Sequence, residues 1–209
     1  MAERRKSIRM VNFKIILASN SPRRRELLAG LGLDFEVRVL PDIDESYPET
    51  LAALDTAEYI AAKKADAYRS AMAPDELIIT ADTVVIVGDE VLGKPANDSE
   101  ARDMLLKLSG RTHQVVTGVC LTTQQQSSRF SVRTDVTFKP LTEAEIQYYI
   151  EKYKPFDKAG AYGIQEWIGY IGCTGLNGSY YNVMGLPVQR IYTELQKFTR
   201  QHSPQGCRQ

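Results

Sequence analysis

The run Leu77–Val87 is almost wholly apolar, yet Thr80-Ala81-Asp82-Thr83 interrupts it near its centre. Its length, its Ile and Val content and the Gly88-Asp89 pair after it predict a buried strand ending in a hairpin turn. A carboxylate inside such a strand is costly unless something pairs with it. The useful partners are a metal ion, a lysine or a water awaiting activation. A structural Asp bonded to nearby backbone meets the same demand, and the motif alone favours neither. Any fold for this chain has to bury the strand and still bring a partner to Asp82.

Short strands and helices alternate around it. Lys14 to Ala18 reads as a buried strand. Ser21 is a good N-cap and Pro22 suits the first helical position, so a helix should run from Arg23 to about Leu31. Phe35 to Leu40 alternates like a second strand. Leu51 to Met72 has helical periodicity, with Leu51, Leu54, Ala57, Tyr59, Ile60 and Ala61 as inward positions. Asn97 or Asp98 caps a helix reaching about Leu108. Thr112 to Thr123 and Phe130 to Phe138 pair across a Gln/Ser-rich turn, and Thr142 caps a helix from Glu143 to Lys152. Ile168 to Leu176 reads as a strand despite three glycines, and Gly185-Leu186-Pro187 opens a C-terminal helix to about Thr199. Residues 1–12 and 201–209 are expected to be disordered tails flanking one domain over 13–200. The expectation is a mixed α/β unit with two lobes hinged around its middle.

Charge and cysteine usage exclude several classes of function. Twenty-six acidic residues balance 26 basic ones, whereas a duplex-binding protein carries a basic excess, so no nucleic-acid partner is expected. The three cysteines, Cys120, Cys173 and Cys207, show neither a disulfide framework nor zinc spacing and point to a reducing compartment. No apolar run approaches the roughly 20 residues needed to span a bilayer, and Lys14 breaks up any signal sequence. A cytoplasmic protein without a membrane partner is expected.

Several other segments carry chemistry. Ser19-Asn20-Ser21-Pro22-Arg23-Arg24-Arg25 puts arginines at a helix N-terminus, where the helix dipole disfavours cations. An anionic partner such as phosphate would reconcile them; a solvated basic turn is the alternative. The acidic loop Asp42-Ile43-Asp44-Glu45 offers hard oxygen ligands suited to Mg²⁺, although most such loops are simply solvated. Gly88 to Pro95 nearly spells a phosphate-binding Walker loop, but Pro95 stands where Ser or Thr should be. That reading fails, and Lys94 still looks positioned between a glycine and a proline. Asp157-Lys158-Ala159-Gly160-Ala161-Tyr162-Gly163-Ile164-Gln165 is rich in small residues that permit close approach of a ligand, and Gln165 offers the donor and acceptor that base recognition needs. His113 and His202 form no metal pair and no triad.

Taken in order, Leu17-Ala18-Ser19-x-Ser21-Pro22-Arg23-Arg24, Lys64-Ala65, Ala81-Asp82-Thr83, Gly93-Lys94-Pro95, Leu108-Ser109-Gly110, Asp157 to Gln165 and Tyr180-Tyr181-x-Val183-Met184-Gly185-Leu186-Pro187 resemble the Maf family of nucleotide pyrophosphatases from about Lys14 to Phe198. The resemblance implies a mixed twisted sheet with flanking helices and two lobes around a deep cleft, similar to the inosine triphosphate pyrophosphatases. It implies a nucleoside triphosphate substrate, hydrolysis between its α- and β-phosphates, a divalent cation (Mg²⁺ or Mn²⁺) and a homodimer. It makes Asp82 the general base, and Ser21, Arg23, Arg24, Lys64 and Lys94 the phosphate-binding set. Glu45 would join Asp82 in holding the metal, with Asp157 and Lys158 completing a polar wall.

Three positions separate the family's branches, and Arg23, Thr83 and Gln165 all match the branch acting on dTTP and UTP. The other branch, acting on 7-methyl-GTP, carries Trp, Gln and Glu there and is the alternative, as is a nucleotide-binding regulator of septum formation without turnover. One stretch, Glu166 to Leu176, departs from the branch pattern. The departure is expected to bear on dimer contacts or cleft shape more than on the chemistry, with Trp167 packing in preference to contacting the base.

Overall fold

The computed structural model describes residues 13–201. The tails expected to be disordered lie outside these residues, apart from Gln201, which ends the last helix. The seven strands of the described residues form one sheet in the order β2-β1-β3-β5-β6-β7, with β4 also paired to β3. β1 (Lys14–Leu17) runs parallel to β2 (Phe35–Val37) and to β3 (Glu76–Val87). β4 (Glu90–Leu92), β5 (Thr112–Thr122), β6 (Ser127–Phe138) and β7 (Cys173–Asn177) add antiparallel ladders.

The two faces of β3 follow its alternation. Ile78, Val84 and Ile86 pack towards α2 (Thr56–Tyr68), and Thr80 donates to the Ala61 carbonyl of that helix at 2.7 Å. Leu77, Ile79 and Ala81 face the opposite core. Asp82 therefore belongs to the α2 face and Thr83 to the other. Gly118 of β5 lies opposite Asp82, and a Cβ there would stand 2.3 Å from the Ala57 backbone. Only glycine lets α2 lie this close to the sheet.

One edge of β3 is shared by two short strands. β1 covers it as far as Ile79, opposite Leu17, and β4 resumes at Val85, opposite Leu92. The segment between, residues 80–84, has no strand partner on that side. The apolar core divides at the same place. One part gathers Leu17, Leu28, Ile79, Leu186, Ile191 and Leu195 around β1, α1 (Pro22–Ala29) and α7 (Val188–Gln201). The other gathers Leu92, Leu105, Phe138, Ile146, Tyr149 and Ile168 around β4, α3 (Asp98–Leu108) and α4 (Glu143–Tyr153). These are the two expected lobes, joined through β3, β5 and β6.

The caps fall where expected: Ser21, Asn97 and Thr142 each accept a backbone N–H of the following turn, and Thr142 forms a full capping box with Glu145. Two assignments need correction. The strand expected over Ile168–Leu176 is a helix, α5 (Trp167–Gly172), followed by β7. The helix forms because Gly169 nestles against the Ile164 carbonyl, where a Cβ would lie 1.9 Å away, and because Ile168 is wholly buried in the second core. Leu54 and Tyr59, expected inward, are 43% and 40% exposed. Leu54 sits in a 3-10 turn (Ala53–Asp55) before α2, and Ala57, Ile60, Ala61 and Ala65 set the buried face. A one-turn helix, α6 (Tyr180–Val183), was not anticipated.

Candidate active site

The interruption along β3 opens into a cavity lined from both lobes. Ser21, Arg23 and Arg24 come from the start of α1, Lys64 from α2, and Asp82 and Thr83 from β3. Lys94 follows β4, and Asp157, Lys158, Gly163 and Gln165 come from the loop after α4. An adjoining outer cleft shares Ser21, Arg23, Arg24, Lys64, Lys94 and Asp157 and adds Glu45. Every residue given a site role by the family resemblance thus lines one continuous depression. Arg25 does not: it is exposed, so the arginine triplet acts as a pair.

Asp82 has found its partner. Its Oδ1 accepts from Lys64 Nζ at 2.8 Å, and the same ammonium lies 3.0 Å from Glu45 Oε1. Side-chain exposures of 13% for Lys64 and 14% for Asp82 place the pair in partly dehydrated surroundings, where the attraction is stronger than in water. Two carboxylates thus converge on one cationic point, Asp82 Oδ1 and Glu45 Oε1 both reaching the same ammonium. Mg²⁺ is commonly held by one or two carboxylates, with water and substrate phosphate completing its shell; Asp82 and Glu45 fit that donor set. No three His, Cys, Asp or Glu side chains converge as a metal cage among the described residues.

Arg24 is tied to the protein. Its Nε donates to Gly185 O at 2.8 Å, Nη1 to Ala81 O at 2.8 Å and Nη2 to Thr83 Oγ1 at 3.0 Å. Three of its five N–H groups are so occupied, and one side chain joins α1, the unpaired edge of β3 and the loop before α7. Burial pulls its pKa down, with Asp82 opposing. The order continues inward. Thr117 donates to Asn182 O at 3.0 Å, so its single proton is used, and the 3.0 Å contact between Thr83 and Thr117 must have Thr83 as donor. Thr83 is held in a relay running from Arg24 to α6.

Arg23 reaches across the cleft to Asp157, Nη1 to Oδ2 at 2.8 Å, and Lys158 donates to Asp157 Oδ1 at 2.7 Å. Burial alone would raise the Asp157 pKa, but the Lys158 and Arg23 bonds prevail and hold it at about 2. Lys94 has no acceptor among the described residues, and the Gln165 amide is likewise unengaged. Both line the cavity. The cavity lining also includes the apolar Val85, Val115, Val183 and Met184 and the ring of Tyr162. The depression therefore combines a set of cationic side chains with apolar lining and one free amide.

Three contributors escaped the sequence reading. Glu166 and Tyr149 stand behind Lys158; the only hint was a carboxylate directly after Gln165. His113, set aside as uninformative, is buried, and its Nε2 lies 2.7 Å from the hydroxyl of cavity-lining Tyr162. Burial holds its imidazole down to about 4. Trp167 packs edge-on against Tyr148, as expected.

The family described as Maf-like protein matches residues 14–198. The chain is 64% identical over 185 residues to a dTTP/UTP pyrophosphatase of Phocaeicola vulgatus, covering 88% of this chain and 96% of that protein. It is 60% identical over 185 residues, with the same coverage, to a dTTP/UTP pyrophosphatase of Bacteroides thetaiotaomicron. Among solved structures it is similar to the Staphylococcus aureus Ham1 protein, with a TM-score of 0.51 at 18% identity, covering 88% of this chain and 98% of that one. That likeness is one of fold.

Proposed function

The chain belongs to the Maf family, and on that premise we propose that it hydrolyses dTTP and UTP to the monophosphate and pyrophosphate. The observation that carries the reading is the convergence of Arg23, Lys64, Asp82 and Lys94 on one cavity that also holds apolar lining and the unengaged Gln165. A triphosphate meets the cationic side chains and a neutral pyrimidine the apolar lining, with Gln165 able both to donate to and to accept from its amide-like edge.

In this reading Asp82 is the general base. Its Oδ1 is held by Lys64, while Oδ2 accepts from no described residue and is free to take a proton from water. The water oxygen attacks the α-phosphorus, the bond from that phosphorus to the bridging oxygen breaks, and pyrophosphate leaves. Lys64, Lys94 and Arg23 offset the negative charge on the phosphate oxygens, and Arg24 fixes Thr83 and the β3 edge beneath them. A divalent cation held by Asp82 and Glu45 would supply further charge neutralisation and acidify the water. Action in the cytoplasm, as a homodimer that clears non-standard nucleotides, belongs to the same reading. The free thiols Cys120 and Cys173 agree with a reducing compartment, and no helix of the described residues is long and apolar enough to cross a membrane.

The test is release of pyrophosphate from dTTP, UTP, CTP, GTP and 7-methyl-GTP, with Mg²⁺ or Mn²⁺ and with EDTA. Metal-dependent formation of dTMP and UMP ahead of the purine products is expected. A preference for 7-methyl-GTP would overturn the pyrimidine assignment, and no turnover of any would overturn the enzyme assignment.

A further inference from the structure

The segment expected to bear on cleft shape more than on chemistry places a carboxylate directly behind the wall of the site. Glu166 immediately precedes α5. Its Oε1 lies 3.1 Å from Lys158 Nζ, and its Oε2 accepts from the Tyr149 hydroxyl. The Gly163 N–H donates to that same phenol oxygen at 3.0 Å. Glycine at 163 leaves the carboxylate its room, since a Cβ there would lie 2.9 Å from the Glu166 carboxyl carbon. The Lys158 side chain is only 9% exposed and shares Asp157 with Arg23. Four charges of alternating sign thus run unbroken from the mouth of the cavity inward: Arg23, Asp157, Lys158, Glu166. Tyr149 anchors the inner end.

A buried ammonium on a four-carbon stem is costly when unpaired and mobile when held from one side. Asp157 alone would hold it from one side, and Asp157 is half exposed and already bound to Arg23. Glu166 supplies the second, interior anchor. We infer that Glu166 is a positioning residue for nucleotide hydrolysis, acting through Lys158 and Asp157 to fix the cationic wall that meets the substrate. The segment that looked foreign to the chemistry therefore supports it. This inference rests on the proposed function for the identity of the substrate.

Glu166→Gln tests it, because the amide keeps the shape and can still accept from Tyr149 while losing the charge that holds Lys158. A double-mutant cycle with Lys158→Met is read on kcat/KM for UTP and, in parallel, on the affinity for the non-hydrolysable α,β-methylene analogue of UTP. Glu166→Gln is expected to lower kcat/KM about tenfold, and to cost little or nothing more once Lys158 is already methionine. Losses that simply add, or a Glu166→Gln variant unchanged in both turnover and affinity, would overturn the assignment. Should the parent protein fail to turn over UTP, the proposed reaction falls, while the binding arm of the cycle still decides the role of Glu166.

Discussion

Replacing Gly118 with alanine should disturb the pairing of Lys64 with Asp82 without touching either residue. The new Cβ would meet the Ala57 carbonyl carbon and oxygen and the Glu58 nitrogen, each at 2.3 Å. All three are backbone atoms, so no side-chain rotation relieves the clash. Ordinary contact needs 3.4 Å or more, and α2 must retreat by about 1 Å at that point. Lys64 lies seven residues further along the same helix, about 10 Å up its axis, and is carried with it. Its 2.8 Å bond to Asp82 then lengthens beyond the usual range of about 2.7–3.2 Å. Overpacking of this kind costs about 1–3 kcal/mol. In a chain of this size each kcal/mol lowers Tm by about 2–4 °C. Misplacement of a catalytic group by about 1 Å can cost up to about a hundredfold in rate. Calorimetry paired with pyrophosphate release from UTP should therefore show a lower Tm together with a turnover loss of about ten- to a hundredfold. Parental Tm and parental turnover in Gly118→Ala would refute the claim that α2 is seated by this glycine and holds Lys64 in register.

Three further outcomes are expected. Asp82→Asn should lower kcat for UTP by at least about 10²-fold while leaving the fold intact by circular dichroism; near-normal turnover would remove Asp82 as the base. Gln165→Glu should weaken activity on UTP, because a carboxylate can accept from the pyrimidine edge but no longer donate to it; identical steady-state kinetics would exclude Gln165 from base recognition. The third concerns pH. Burial holds His113 at about 4 against an ordinary 6.5, so the unfolded chain takes up this proton first as pH falls. The associated stability is complete above about pH 6.5 and is lost as pH drops towards 4. It amounts to about 3 kcal/mol. Denaturant unfolding of His113→Gln should show a flatter dependence across that window, and an unchanged slope would contradict the burial argument.

What could be read from sequence was whatever local chemistry dictates. The caps at Ser21, Asn97 and Thr142 stand in the residues themselves. Asp82 announced its need for a partner by its place in an apolar strand, and every residue to which the family resemblance gives a site role lines the depression. What could not be read were choices made by tertiary packing. Nothing near Arg24 says that three of its N–H groups will be occupied by Gly185, Ala81 and Thr83, residues far away along the chain. The α5 segment misled because its glycines and Ile residues resemble a weak strand, whereas Gly169 is there to let a helix press onto the Ile164 carbonyl. His113 looked idle because its partner, Tyr162, is 49 residues away. Glu166 was set aside along with its segment, since its ties to Lys158 and Tyr149 exist only once α4 and α5 are packed.

The interruption on the edge of β3 also bears on how the molecule resists unfolding. Its two flanks belong to different apolar cores, so a ligand lodged between them grips both at once and its binding energy acts as a rivet across the seam. At a hundred times its dissociation constant such a ligand adds about 2.7 kcal/mol to the folded state. That gain counts against unfolding of the whole domain, and it disappears as each molecule is consumed. A chain built this way is more stable while its nucleotide is plentiful and less so as the supply runs down.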